Sequence, residues 1–151
     1  MTEKNILIFL AVVFAAISNA QTNSFEEKQA INTLKTFYVA YMSEFSDSGD
    51  IRQSETRLEE LRNKYCTAKC RKQYKRLVGE TDGDPIINGQ DSGVEFTKTL
   101  SFKRVDKTTN KYIVSYYFFM KGEGGKQHKE TVTIKLLVIK ENGNFKIDAF
   151  L

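Results

Sequence analysis

The sequence predicts an α+β domain, N-terminal helices packed on a curved four-stranded antiparallel sheet, and three observations carry that expectation. Apolar residues recur at three- and four-residue intervals as far as about residue 78, the period of a helix face. Beyond residue 93 they alternate, or run on over strand lengths. Between the halves lies Asp84-Pro85-Ile86-Ile87-Asn88-Gly89-Gln90-Asp91, which holds the only proline in the chain. Pro85 biases Asp84 away from helical geometry, and Gly89 is the residue expected to take the turn. At 151 residues, 40% hydrophobic and 28% charged, the chain suits one soluble domain with a real core. Eleven Phe and seven Tyr without a Trp make that core rich in rings.

Residues 1–20 read as a signal peptide. Lys4 supplies a positive start, Ile6 to Ile17 form an uncharged apolar run, and Ser18-Asn19-Ala20 ends on a small residue. That run is shorter than the roughly 18 residues of a spanning helix, so no transmembrane anchor is expected in the mature chain. No cysteine follows Ala20, which argues against a lipid anchor. Cleavage after Ala20 would leave residues 21–151 as a single domain, periplasmic or secreted. It removes one acid and one base and keeps the net charge at +4.

The first helix of the domain is expected from Ser24, where Ser24-Phe25-Glu26-Glu27 has the form of a capping box. Ile31, Leu34, Tyr38, Tyr41 and Phe45 mark its buried face, and Ser46 to Asp50 its end. A second helix is expected from about Ser54, burying Leu58, Leu61 and Tyr65. A bend at Tyr65-Cys66-Thr67, with Thr67 as a fresh N-cap, leads to a third helix that stops at Gly79. At such a bend Cys66 and Cys70 come near enough for a disulfide, which export would favour; two buried thiols are the competing reading. His128 is the only histidine, and no cofactor or metal is expected.

In the second half, Val94, Phe96, Leu100 and Phe102 alternate with polar residues as one half-buried strand. Residues 112–120 are apolar on both parities, fitting the middle of a sheet or the lining of a pocket. Residues 129–140 form the next strand, and Asn142-Gly143 is a strong hairpin signal. A two-residue turn opposes Val138 to Ile147, Leu136 to Ala149 and Ile134 to Leu151. Asp148 then falls among apolar neighbours on the opposite face, either desolvated there with a raised pKa or facing solvent near the end of the strand.

The pattern Ile31-x-x-Leu34-Lys35-x-Phe37-Tyr38-x-x-Tyr41, the segment from Leu61 to Thr67, the segment Asp84–Asp91, Tyr112-x-Val114-x-Tyr116 and Phe145-Lys146-Ile147-Asp148 together resemble domain-of-unknown-function family 3828, small exported proteins of Gram-negative bacteria. That family is similar to the nuclear-transport-factor-2-like superfamily. The resemblance implies a cone-shaped α+β domain with a pocket inside its curved sheet, and Cys70 departs from the family pattern.

The functional expectation is a non-catalytic binding domain. Its ligand, a small molecule or peptide, would lie on the concave face of the sheet, with Asp84, Asn88, Gln90, Asp91, Tyr116 and Asp148 as contacts. An inhibitor or immunity-type protein that covers an envelope partner is the alternative. An isomerase- or dehydratase-like enzyme is a second, using Asp148 or Asp91 with Tyr116 or Tyr117. No phosphate loop, metal constellation or triad order is present to support catalysis. Arg62, Lys64, Lys69, Arg71, Lys72, Lys75 and Arg76 concentrate positive charge in the helices, but without a nucleic-acid-binding module, so an acidic protein or anionic surface is the expected attraction.

Overall fold

A helical layer covers one face of a four-stranded antiparallel meander of order β1-β2-β3-β4. The computed structural model describes the backbone of residues 3–46, 50–81, 83–90 and 93–151, and within these the side chains from Ser24 onward except Glu123. The helices are α1 (Glu3–Phe45), α2 (Ile51–Tyr65) and α3 (Ala68–Glu80); the strands are β1 (Ser101–Arg104), β2 (Lys111–Lys121), β3 (Gln127–Glu141) and β4 (Asn144–Phe150). Among the described residues no helix is long and apolar enough to cross a membrane. The side chains of residues 1–20, assigned above to a signal peptide, lie outside the described ones.

Helix α1 does not begin at Ser24. It runs through that position, because neither Gly nor Pro interrupts the chain before residue 49. Its stripe is as expected: Ala30, Leu34, Phe37, Tyr38, Tyr41 and Met42 are all buried, while Ile31 and Phe45 lie at the margin. Helix α2 starts before Ser54, since Asp50 caps it by accepting from the Arg52 amide at 2.9 Å. Ser54 is instead a buried residue of the helix, its hydroxyl donating to the Glu44 carbonyl at 3.0 Å.

The bend at Cys66 and Thr67 is where expected. Thr67 caps α3 by accepting from the Cys70 amide at 3.2 Å, and its own amide donates to the Ile147 carbonyl at 2.9 Å, joining the bend to β4. Gly79 does not stop α3, which continues to Glu80 with Thr81 as its cap. The expected disulfide is absent: Cys66 and Cys70 are free, buried thiols. A hydrogen bond with Cys70, together with burial, pushes the Cys66 thiol far up. The thiolate that would attack an oxidant is therefore disfavoured at that position.

Two strand expectations are corrected. Residues Val94–Thr99 form a 3-10 turn, not the start of β1. The Thr97 and Thr99 hydroxyls donate back to the carbonyls of Val94 and Phe96, at 2.6 and 3.0 Å, and so offer the backbone a local alternative to a ladder. The turn lays Phe96 on Phe118 and Tyr116, with ring centroids 4.9 and 5.7 Å apart. The Thr99 hydroxyl also meets both backbone groups of Tyr117, accepting from its amide at 3.0 Å and lying 2.8 Å from its carbonyl.

The β3–β4 hairpin turns at Asn142 and Gly143, both with positive φ, and pairs Val138 with Ile147 as predicted. The register then shifts at Leu137/Val138, so that Leu137 faces Ala149 and Leu136 faces Phe150. Asp148 is the extra residue of this bulge, which lets its carboxylate leave the ladder. Next along β4, the Gln73 side chain of α3 meets both backbone groups of Phe150, donating to the carbonyl at 2.8 Å and accepting from the amide at 2.9 Å.

Strand β2 is central, but only its inner face is closed. Tyr112, Val114 and Tyr116 are buried, whereas Ile113, Ser115 and Tyr117 on the other face are half-buried and Phe119 is 62% exposed.

Candidate functional site

The segment between α3 and the sheet closes on itself through two bonds, from the Asp84 amide to the Gly89 carbonyl at 2.9 Å and from the Gly89 amide to the Asp84 carbonyl at 3.3 Å. The left-handed residue is Asn88, with φ of 51°, and not Gly89. Asparagine tolerates that region through local hydrogen bonding. Ile86 and Ile87 are driven into the core by this loop and are fully buried. They fill the inner face of the sheet together with Tyr38, Tyr41, Leu136 and Val114.

Asp84 anchors the loop. Its Oδ1 accepts from the Ile86 amide at 2.7 Å; its Oδ2 accepts from the Tyr41 and Tyr74 hydroxyls at 2.7 and 2.9 Å. Those hydroxyls in turn accept from Arg62 Nη1, at 2.9 Å for Tyr41 and 3.2 Å for Tyr74. The guanidinium lies over the Tyr74 ring, 4.6 Å from its centroid, and its Nη2 bonds the Glu55 carboxylate. Two phenols thus stand between a buried cation and a buried anion, each receiving a hydrogen bond from one and giving a hydrogen bond to the other.

The electrostatics keep this arrangement in one protonation state. Burial, and after it the negative charge of Asp84, pushes Tyr41 far above its ordinary range and Tyr74 up to about 12. Burial alone would pull the Arg62 guanidinium down, but Tyr41, Tyr74 and Glu55 more than restore it. Both phenols therefore remain donors and Arg62 remains charged at physiological pH.

Three adjoining hollows surround the cluster. The largest, about 610 Å³, lies between α2 and α3, lined by Glu55, Glu59, Arg62, Arg71, Lys72 and Lys75 among others. The next, about 470 Å³, shares Glu55, Tyr74 and Val78 with it and reaches Asp84 and Gln90. The third, about 410 Å³, shares Asp84 and Gln90 and extends past Asn88 to Thr133 on β3 and Phe150 on β4. Together they make one groove with Tyr74 and Asp84 near its middle, of a size suited to small molecules.

Of the residues singled out in the sequence, Asp84, Asn88 and Gln90 come together on this groove. Asp91 lies outside the described residues. Tyr116 is buried behind the loop, its hydroxyl donating to the Ile87 carbonyl at 2.8 Å, so that it fastens the sheet to the loop. Asp148 is elsewhere, accepting from the Thr67 hydroxyl at 2.9 Å and from Lys69 Nζ at 2.6 Å. Its pKa is lowered, not raised: burial pulls it up, but the bonds from Lys69 and Thr67 and the Lys69 charge outweigh that. Among the described residues Asp148 and Tyr116 share no partner, and Lys129 Nζ sits 3.9 Å over the ring of Tyr117. Among the described residues no group of His, Cys, Asp and Glu stands close enough to hold a metal ion.

Sequence reasoning missed Arg62, Tyr41 and Tyr74 as a unit. The signal available was Arg62 itself, which follows Leu58 by four residues and so falls on the buried face of α2. A cation in that register needs a partner, and the spacing of Tyr41 and Tyr74 on their helices is that of ordinary core residues.

One hydroxyl of the core has no partner. Tyr38 is fully buried and its phenol oxygen makes no hydrogen bond among the described residues. Tyr38→Phe is therefore expected to raise stability by about 1–2 kcal/mol, by removing an unsatisfied polar group without a change of shape. Urea denaturation checks this; a variant less stable than the parent would mean that the hydroxyl is satisfied.

Fold and groove define a class of structure, a three-helix layer on an antiparallel sheet with a polar groove beside the connecting loop. The chain belongs to the family of a protein of unknown function from Bacteroides thetaiotaomicron VPI-5482, whose crystal structure is similar to it at 30% identity and a TM-score of 0.77, over 90% of this chain and 98% of that one. No family model and no curated protein matches the sequence.

Proposed function

We propose that the chain is an exported, non-catalytic binding domain whose ligand, a small molecule or short peptide, lies in the groove along α3 and the 83–90 loop. The observation that carries this reading is the contrast between two surfaces. The inner face of the sheet is filled by Ile86, Ile87 and the aromatic side chains of α1, whereas the groove is open and has the Arg62–Tyr74–Asp84 cluster at its floor. Catalysis draws no comparable support, because both phenols are held as donors to Asp84.

Resemblance to family 3828, and through it to the nuclear-transport-factor-2-like superfamily, bears on the fold, which carries binding modules and enzymes alike. In this chain the site would sit beside the cone mouth instead of inside it. Export rests on residues 1–20, with Gln21 as the first residue after processing. The exposed Lys72 and Lys75 on α3 favour one second reading, an acidic envelope protein docking there.

Thermal-shift screening of the protein against metabolites and short peptides tests the first reading, with Val78→Trp as the control. Val78 is 43% exposed and borders the two larger hollows, so tryptophan there should fill them and abolish any shift while leaving the unliganded melting temperature unchanged. A ligand that still binds Val78→Trp would place the site outside the two larger hollows, and one that also survives Asn88→Trp, in the lining of the third, would place it outside the groove.

A further inference from the structure

We infer that the α2–α3 part of the groove takes a small organic molecule carrying at least two oxyanion groups, and that the Glu55 carboxylate occupies the subsite one of those groups would enter. The inference rests on the groove reading above and adds the ligand class.

Arg62 is 6% exposed, and its two terminal nitrogens face different surroundings. Nη1 is consumed inside, by the hydroxyls of Tyr41 and Tyr74. Nη2 bonds Glu55, whose side chain is 62% exposed. The buried anion Asp84 is joined to Arg62 only through the phenols, so the carboxylate in direct contact with this buried cation is one that reaches in from the surface. Among the described residues Glu55 makes no other polar contact. Glu55 is the exposed end of the pair, so its carboxylate can swing out into water, but Arg62 is buried and is then left with no carboxylate in contact. An incoming carboxylate or phosphate would restore the charge-assisted bond to the planar guanidinium.

The opposite wall supplies the second subsite. Ala68, Arg71, Lys72, Lys75 and Val78 repeat along one face of α3 and line the same hollow. Arg71 donates Nη1 to the Cys66 carbonyl at 2.8 Å. Lys72 and Lys75 are exposed and make no ion pair among the described residues. The lining thus holds four cations, Arg62, Arg71, Lys72 and Lys75, against two carboxylates, Glu55 and Glu59. One of those carboxylates is already spent on Arg62. The volume of about 610 Å³, with Ala68, Val78 and the Tyr74 ring in its lining, suits an organic body between the charged groups better than an inorganic ion.

Isothermal titration of the mature protein with citrate and, separately, with fructose 1,6-bisphosphate tests the inference and distinguishes a carboxylate ligand from a phosphate one. At least one probe should bind saturably, and more weakly as salt is raised. Glu55→Gln and Glu55→Ala should each tighten that binding by about tenfold, because the competing negative charge is gone. The double variant Lys72→Gln/Lys75→Gln should weaken it by about tenfold while melting as the parent does. Affinity unchanged or lowered in both Glu55 variants overturns the displaceable carboxylate. Affinity unchanged in the double lysine variant overturns the second subsite. Failure of both probes on parent and Glu55 variants alike overturns the anionic class, whereas the groove reading falls separately, on ligands that survive both Val78→Trp and Asn88→Trp.

Discussion

Replacing Asp84 by alanine is expected to cost about 3–5 kcal/mol in urea denaturation, the range for a buried charge that loses its counter-ion. The change removes the acceptor for three donors at once: the Tyr41 and Tyr74 hydroxyls and the Ile86 amide. It also leaves Arg62 buried with no anion behind the phenols, so the loss should exceed the roughly 1–3 kcal/mol of one unsatisfied donor. Glu59→Ala, on the exposed side of the same groove, should stay within about half a kcal/mol and serves as the control. An Asp84→Ala protein as stable as the Glu59 variant would show that the network is not a structural unit.

Ile87→Ala is expected to cost about 2–5 kcal/mol, through lost burial and the cavity left behind. Ile87 is fully buried, and its carbonyl accepts from the Tyr116 hydroxyl, so the backbone is held and collapse into the vacated space is restricted. The variant should therefore carry an apolar void on the inner face of the sheet, where the parent has the buried Ile87 side chain. Uptake of benzene or xenon by the variant alone, followed by NMR, checks this. A cost below about 1 kcal/mol would mean that the loop repacks freely.

Much of the fold was legible because it depends on period. The aromatic stripe of α1, the bend at Cys66 and Thr67, the meander and the Asn142-Gly143 turn all follow from spacing and local chemistry. The failures lie where side-chain bonds fall outside any periodic pattern. Val94 to Thr99 reads as a strand by alternation, yet its threonine hydroxyls turn it into a 3-10 segment. The pairing predicted for Leu136 is off by one residue because nothing in the alternation announces a bulge at Asp148.

For the candidate site, the loop was legible and its partners were not. Asp84, Asn88 and Gln90 were legible as polar residues gathered at a joint, but the tyrosines that meet Asp84 come from stripes that look like ordinary core. The concave face was the default place for a pocket; the two isoleucines after Pro85 are buried against it, and only the direction taken by the loop could show that.

The side-chain contacts on Phe150 and Tyr117 have a bearing on solubility. Strands whose backbone groups face outward invite pairing with other molecules, and proteins commonly deter this with charge, proline or short strands. Here Gln73 occupies both the amide and the carbonyl of Phe150, and Thr99 lies against both those of Tyr117, each side chain standing where one residue of a neighbouring strand would otherwise bond. A foreign strand approaching either place must first evict a glutamine or a threonine. Loss of either side chain would therefore show itself less in unfolding than in the concentration at which the protein begins to self-associate.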